Sequence, residues 1–231
     1  LKNKKVGNNL QSIDYQYNIR GWMTKINDPS NLNGKLFGYE MRYNNPVSGL
    51  YPGKYNGNIA EIDWKTSQDN VYRRYNYNYD SFNRLINGIY SEPFSSVPQN
   101  GFFNETLSYD INGNINSLQR NGKSLAGTAQ VIDNLSYNYT GNRLSSVSDT
   151  SQNYQGYPDV SGNQVSYDEN GNMKDMKDKG ILEINYNHLN LPQYIMFDQQ
   201  YYTRGVWQNV NLTYYYGADG TKRRKEYRYS E

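Results

Sequence analysis

Cysteine is absent from this 231-residue chain, which excludes a disulfide framework, a thiolate nucleophile and a thiolate-bound zinc together. Histidine occurs once, at His188. Any imidazole base or metal ligand would be that residue, and neither an HExxH nor a GxSxG pattern surrounds it, so it reads as a turn residue beside Tyr186. No apolar run approaches the ~20 residues of a bilayer-spanning helix, and Leu1-Lys2-Asn3-Lys4-Lys5 leads into no signal-peptide core. No membrane span is expected. Lys and Arg number 24 against 22 Asp and Glu, a net charge of +2, so no long-range field gathers nucleic acid or anionic membrane. The first residue is not Met, and the sequence reads as a piece of a longer chain.

Tyrosine and asparagine are what the chain has in excess. It carries 26 Tyr against 6 Phe and 3 Trp, and 34 Asn. Aromatic side chains suit the half-buried face of a sheet, and their regular placement separates this chain from polar low-complexity disorder. Tyr75-Asn76-Tyr77-Asn78-Tyr79-Asp80-Ser81-Phe82-Asn83-Arg84-Leu85-Ile86 shows the unit. Tyr75, Tyr77 and Tyr79 alternate with asparagines at the period of a strand. Asp80 then stops the strand, because its carboxylate accepts from backbone N–H groups ahead of it, and Leu85 and Ile86 start the return. Tyr109-Asp110-Ile111-Asn112-Gly113-Asn114-Ile115 and Tyr167-Asp168-Glu169-Asn170-Gly171-Asn172-Met173 repeat the pattern, with Gly113 and Gly171 supplying the positive φ of a tight hairpin.

With the tyrosine before each turn as anchor, about eight repeats start at Tyr17, Tyr55, Tyr79, Tyr109, Tyr139, Tyr167, Tyr186 and Tyr216. Their intervals of roughly 20 to 40 residues lie in the range of repeat architectures. The residue two before the anchor is apolar or aromatic in every repeat except at Gly53. Phe37–Tyr43 reads as an added strand, and Ile62 and Trp64 alternate in the strand after Tyr55. At Tyr139 the turn is one residue shorter and uses Gly141. At Tyr186 the glycine is gone, and Pro192 argues against a hydrogen-bonded central strand starting there. Residues 91–101 and 148–162, rich in Pro, Gly, Ser and Asn, read as hairpin-end loops, and residues 1–14 show only weak pattern. No amphipathic helix of useful length is present. The expected fold is all-β: consecutive antiparallel hairpins in one continuous, curved sheet without a closed core, residues 1–231 forming a single repeat region.

These repeats resemble the bacterial RHS/YD-repeat family, whose unit is a Tyr-Asp pair followed by Gly-Arg or Gly-Asn and an aliphatic residue. The resemblance covers about residues 13 to 227. Tyr79-Asp80, Tyr109-Asp110 and Tyr167-Asp168 keep the defining dipeptide, Asn follows Tyr17, Tyr55 and Tyr186, and Thr140 and Gly217 stand in the other two. It implies a spiralling sheet that forms part of a hollow shell. In complete members that shell encloses a C-terminal toxin or belongs to a surface protein. The closing core, with its Asp-Pro-x-Gly motif and self-cleaving aspartates, is expected further downstream, as is the variable effector, since Asp28-Pro29 is followed by Ser30. The resemblance implies a non-catalytic structural segment, secreted or on the bacterial cell surface. Its partners would be the rest of its own polypeptide and the secretion machinery. An extracellular carbohydrate-binding or adhesin module, using exposed tyrosines on surface glycans, is the alternative.

Other motifs have plainer readings. Asp110, Asn112 and Asn114, like Asp168, Asn170 and Asn172, have the opening spacing of a calcium loop, but Ile115 and Asn121, or Met173 and Lys179, stand where an EF-hand needs Gly and Glu. The turn reading is preferred, and no metal or cofactor is expected. Glu61 and Asp63 share one strand face and have the look of a glycosidase pair, though a solvent-facing charged stripe explains them more simply. Lys222-Arg223-Arg224-Lys225, with Tyr227 and Tyr229 beyond, is too short for a phosphate-tracking groove. The tyrosine ladders are read as cross-strand packing rather than a sugar platform.

Overall fold

In the computed structural model, residues 1–158 and 161–229 are described, so Asp159 and Val160 of the 148–162 connector lie outside the described residues. The described residues form fifteen strands and one turn of 3-10 helix at Lys177–Lys179, with no α-helix. The strands are β1 (Asn3–Val6), β2 (Gln11–Tyr17), β3 (Met23–Ile26), β4 (Phe37–Arg42), β5 (Glu61–Thr66), β6 (Arg73–Tyr79), β7 (Leu85–Ser91) and β8 (Glu105–Tyr109). They continue with β9 (Ile115–Lys123), β10 (Ala129–Thr140), β11 (Arg143–Asp149), β12 (Ile181–Tyr186), β13 (Pro192–Thr203), β14 (Val206–Tyr216) and β15 (Lys222–Arg228).

Within each sheet, every strand pairs with its neighbours in sequence. β1 to β11 follow in order in an 11-stranded sheet, and β12 to β15 form a 4-stranded one. The fold is all-β, antiparallel, and not closed into a barrel. The ladder thins at the Tyr167 repeat, where pairing is reduced to the isolated bridges Tyr167↔Met173 and Met176↔Ile181. Single backbone bonds carry it onward, from Val165 N–H to Ser145, Lys174 to Ser166 and Ile184 to Lys174.

By packing, the chain divides into two compact units, Leu1–Ser108 with Ser117–Ile132, and Tyr109–Asn116 with Asp133–Glu231. In the first, Met41, Ile62, Tyr90 and Phe102 are buried. Trp64, Tyr75, Tyr77 and Tyr90 lie on the same face of β5 to β7 as Ile62, with Trp64 and Tyr75 stacked at 5.6 Å, Tyr75 and Tyr77 at 5.6 Å, and Tyr90 edge-on to Tyr75 at 5.5 Å. In the second, Leu135, Val147, Tyr157, Val210 and Leu212 are buried. There the strand-poor stretch before β12 is held by buried acids. Asp133 accepts from the Tyr157 N–H at 2.6 Å, and Asp178 accepts from the Tyr157 hydroxyl at 3.0 Å and the Asn163 amide at 2.7 Å.

Two features differ from expectation. The weakly patterned N-terminus forms a complete hairpin, β1 with β2, whose turn puts Gly7, Asn8 and Asn9 at positive φ. A strand also starts at Pro192 and is central, between β12 and β14. Proline is tolerated because it is the strand's first residue, where the ladder needs only its carbonyl, and Asn190 takes the left-handed position (φ 56°) that glycine fills in other turns.

Candidate functional site

The hairpin turns share one geometry. In the turns starting at Asn18, Asp80, Asp110, Asp168, Asn187 and Gly217, the first residue's N–H donates to the carbonyl four residues on at 2.9–3.0 Å, and the fourth residue's N–H donates back to the first residue's carbonyl. That fourth residue is left-handed: Gly21, Asn83, Gly113, Gly171, Asn190 or Gly220. One left-handed residue closing a type I turn makes a G1 bulge. The pairing register accordingly slips beside Tyr17, Tyr79, Tyr186 and Tyr216. At Tyr139 the loop is two residues, with Gly141 at φ 62° between the paired Thr140 and Arg143.

The side chain that opens each turn holds it shut. Asp80 accepts from the N–H of Phe82 and Arg84, at 2.8 and 2.9 Å, and from the Arg84 guanidinium at 2.6 Å. Asp110 accepts from the Asn114 N–H and side-chain amide at 2.9 and 2.8 Å, and Asp168 from those of Asn172 at 2.8 and 2.9 Å. These bonds hold the Asp110 and Asp168 carboxyls below the ordinary carboxylate value, the Asn114 and Asn172 side chains contributing most. They also occupy both carboxylate oxygens of each aspartate, which favours the turn reading over a calcium loop. Gly217 has no side chain to offer, and Asp219 accepts from the Thr221 N–H instead, at 3.0 Å.

A second set of bonds joins five of the repeats to the one before. The hydroxyl of Tyr79 donates to the Ile59 carbonyl at 2.8 Å, Tyr139 to Ile115 at 2.9 Å, Tyr167 to Leu144 at 2.7 Å, Tyr186 to Met173 at 2.9 Å, and Tyr216 to Pro192 at 2.8 Å. Each acceptor lies at or beside the start of the preceding hairpin's return segment. Burial pushes all five phenols above their ordinary value of 10, which keeps them protonated as donors. Side-chain amides link neighbouring turns in parallel, Asn114 to Asn142 at 3.1 Å and Asn172 to Asn190 at 3.2 Å.

Among the described residues Tyr55 makes no such staple. It lies in the loop between β4 and β5, 72% exposed, and the hydroxyl that reaches the first repeat's return strand is that of Tyr43, 2.9 Å from the Met23 carbonyl. The long interval from Tyr17 to Tyr55 and the Asn that follows Tyr43 were the sequence signals for it. Tyr17 ends β2 and is exposed, and Tyr109 ends β8.

Glu61 and Asp63 do not face solvent as the sequence reading had it. Both are fully buried. Asp63 accepts from both arms of the Arg74 fork (2.6 and 2.9 Å), from the Tyr72 hydroxyl (2.7 Å) and from Arg42. Glu61 accepts from Arg42 at 2.9 Å and from the Val47 and Ser48 N–H groups at 3.2 and 2.9 Å. Strand alternation places both acids on one face, but only the return of residues 47–48 over β5 decides that this face is covered. Burial pushes the Asp63 carboxyl up, yet the bonds from Arg74, Tyr72 and Arg42 outweigh it and hold it below its ordinary value. Burial and the Asp63 bond push the Tyr72 phenol up to about 12. A glycosidase pair needs one carboxyl kept protonated as an acid, whereas this arrangement fixes Asp63 as an anion inside an ion cluster.

The remaining candidates stay apart. His188 is exposed in the turn between β12 and β13. Lys222 lies over the Tyr214 ring at 3.8 Å, Arg224 over Tyr215 at 5.3 Å, and Arg224 and Arg228 both pair with Glu226. Among the described residues no group of three or more His, Asp or Glu is placed to hold a metal ion, and no helix is long and apolar enough to cross a membrane.

No protein-family model matches the sequence, and no curated protein does. Solved structures do. The crystal structure of a TcdB2–TccC3–Cdc42 complex superposes with a TM-score of 0.59 at 15% identity over 94% of this chain. The Tc holotoxin pore of Photorhabdus luminescens matches at 0.57 and 15% over 93%, and a TcdB2–TccC3 crystal structure at 0.57 and 14% over 94%. The chain spans only 11–12% of the length of those chains. At these identities the likeness is one of fold.

Proposed function

We propose that this chain is a non-catalytic stretch of wall in a secreted or cell-surface RHS-repeat shell that encloses and delivers a C-terminal toxin. The observation that carries the reading is the recurring tyrosine staple. The hairpins of Tyr79, Tyr139, Tyr167, Tyr186 and Tyr216 are each bonded to the one before, which supports a wall built by serial addition of like units, as in other repeat proteins. The fold likeness to Tc toxin chains supports the same reading. On it, the principal partner is the rest of the same polypeptide, and the secretion machinery meets the whole particle. The ion-paired Glu61 and Asp63 and the isolated His188 favour a structural role over catalysis.

The test uses the natural polypeptide that contains this segment. Electron microscopy should show a hollow particle, and limited proteolysis should spare a C-terminal fragment until the particle is denatured. A solid rod with no protected fragment, or a turnover abolished by His188→Ala, would overturn the proposal.

A further inference from the structure

We infer that Asn33 is a site of covalent self-modification, at which the backbone nitrogen of Gly34 converts the Asn33 carboxamide to aspartate and isoaspartate. Asparagine before glycine is the pair in which this chemistry is least hindered, because the residue supplying the nucleophile carries no side chain. The dipeptide occurs seven times, at Asn33, Asn56, Asn87, Asn100, Asn112, Asn121 and Asn170. Sequence makes the seven alike, and the structure separates them.

Two of them are held inside strands. Asn87 lies in β7 and accepts from the Thr106 hydroxyl at 3.2 Å, and Asn121 lies in β9 and donates to the Gly101 carbonyl at 3.0 Å. Three more have carboxamides tied within or between turns. Asn56 donates to Asn83 at 2.6 Å and accepts from the Asn58 N–H at 3.1 Å, Asn100 accepts from the Phe102 N–H at 3.2 Å, and Asn170 donates to Asn190 at 3.2 Å. At Asn112 the following N–H is committed, since Gly113 donates to the Asp110 carbonyl at 3.2 Å. Among the described residues, Asn33-Gly34 alone leaves both the carboxamide and the following N–H without a hydrogen bond.

The pair forms the centre of a tight turn, with Asn33 at φ 47° and Gly34 at φ 79°, closed by the Lys35 N–H on the Leu32 carbonyl at 2.9 Å. That closing bond uses neither reacting group, and both residues are exposed. Once base in solution removes the Gly34 amide proton, its nitrogen bonds to Asn33 Cγ, the bond from Cγ to Nδ2 breaks, and ammonia leaves with a proton from solvent. The five-membered imide then takes up one water. Opening at one carbonyl gives aspartate, and opening at the other gives isoaspartate, in which the main chain runs through Cγ. Both products add a carboxylate and lower the net charge of +2 by one unit. Isoaspartate also adds a main-chain carbon inside the turn, next to the buried Leu32.

Incubation of the 231-residue chain in mildly alkaline buffer, with tryptic digestion and mass spectrometry at intervals, tests the site. Trypsin cuts after Lys25 and Lys35, so one peptide carries Asn33, and electron-transfer fragmentation locates the change and separates isoaspartate from aspartate. Asn33 should react first, at least about tenfold faster than Asn87 and Asn121, which wait for local opening of their strands. In concentrated guanidinium chloride that lead should vanish, because every site is then an open Asn-Gly pair. Asn33→Gln, whose longer side chain closes the ring poorly, should remove the earliest acidic species from ion-exchange chromatography and leave the other six sites reacting as before. Another Asn-Gly pair reacting first in the folded chain, an Asn33 that stays intact there while it reacts in the unfolded chain, or an equal lead of Asn33 in denaturant would each overturn the inference.

Discussion

The Tyr139 hydroxyl donates to the Ile115 carbonyl, 2.9 Å away and one hairpin earlier in the chain. This bond joins the anchor of one repeat to the return strand of the repeat before it, and four later or earlier anchors do the same. Removing it without removing the ring isolates its worth. Tyr139→Phe should lower unfolding free energy by about 0.5–1.5 kcal/mol, the net value of one such bond. Tyr55→Phe, in which no hydrogen bond among the described residues is lost, should leave it unchanged. Urea denaturation of both variants checks this, and equal effects would show that the staple contributes nothing.

Arg42 serves two buried acids at once. Arg42→Met should cost about 3–5 kcal/mol, because it leaves Glu61 and Asp63 buried with one cation between them. The surface pair offers the control: Arg223→Met, opposite the exposed Asp219, should change stability by less than about 1 kcal/mol. Thermal melts of the two variants make the comparison.

The same cluster sets an acid limb. The Asp63 carboxyl in the folded chain titrates below its ordinary value of 3.8, so the folded state binds fewer protons there than the unfolded one. Its contribution is complete above that ordinary value and is lost as pH falls through the lower folded value. Stability measured against pH should therefore hold near pH 5 and decline below about pH 4. A carboxyl resonance of Asp63 that titrates at or above 3.8 would contradict this.

Gly113 sits at φ 92° with nothing within 4 Å of where a Cβ would project. The cost of a side chain there is one of backbone conformation rather than contact. Gly113→Ala should destabilise by about 1–2 kcal/mol. Gly113→Asn should cost clearly less, since Asn83 and Asn190 already hold the equivalent place in their own turns. Chemical denaturation of the pair measures the difference.

Much of this architecture was legible because it is local. A tyrosine two residues from another aromatic gives a strand, an Asp or Asn next gives a turn, and Gly or Asn three residues on gives the left-handed closure; all of these act within six or seven residues. Pro192 can open a central strand because the bar on proline there concerns its missing N–H, while the first residue of β13 offers its carbonyl to Tyr216. The β1–β2 hairpin is not legible in the sequence because β1 is polar and mostly exposed, with no alternation to mark it as the partner of β2.

The sequence by itself determined the hairpin, its turn chemistry and its repetition, since these rest on backbone preferences and side chains that reach their own neighbours. Tertiary structure alone decided which tyrosine staples a repeat, because that depends on how far an intervening loop carries the ring. It made Tyr43 rather than Tyr55 the second anchor. It likewise decided the fate of Glu61 and Asp63: alternation puts both on one face, and only the chain returning at Val47 and Ser48 turns that face into an interior where Arg42 and Arg74 must match them.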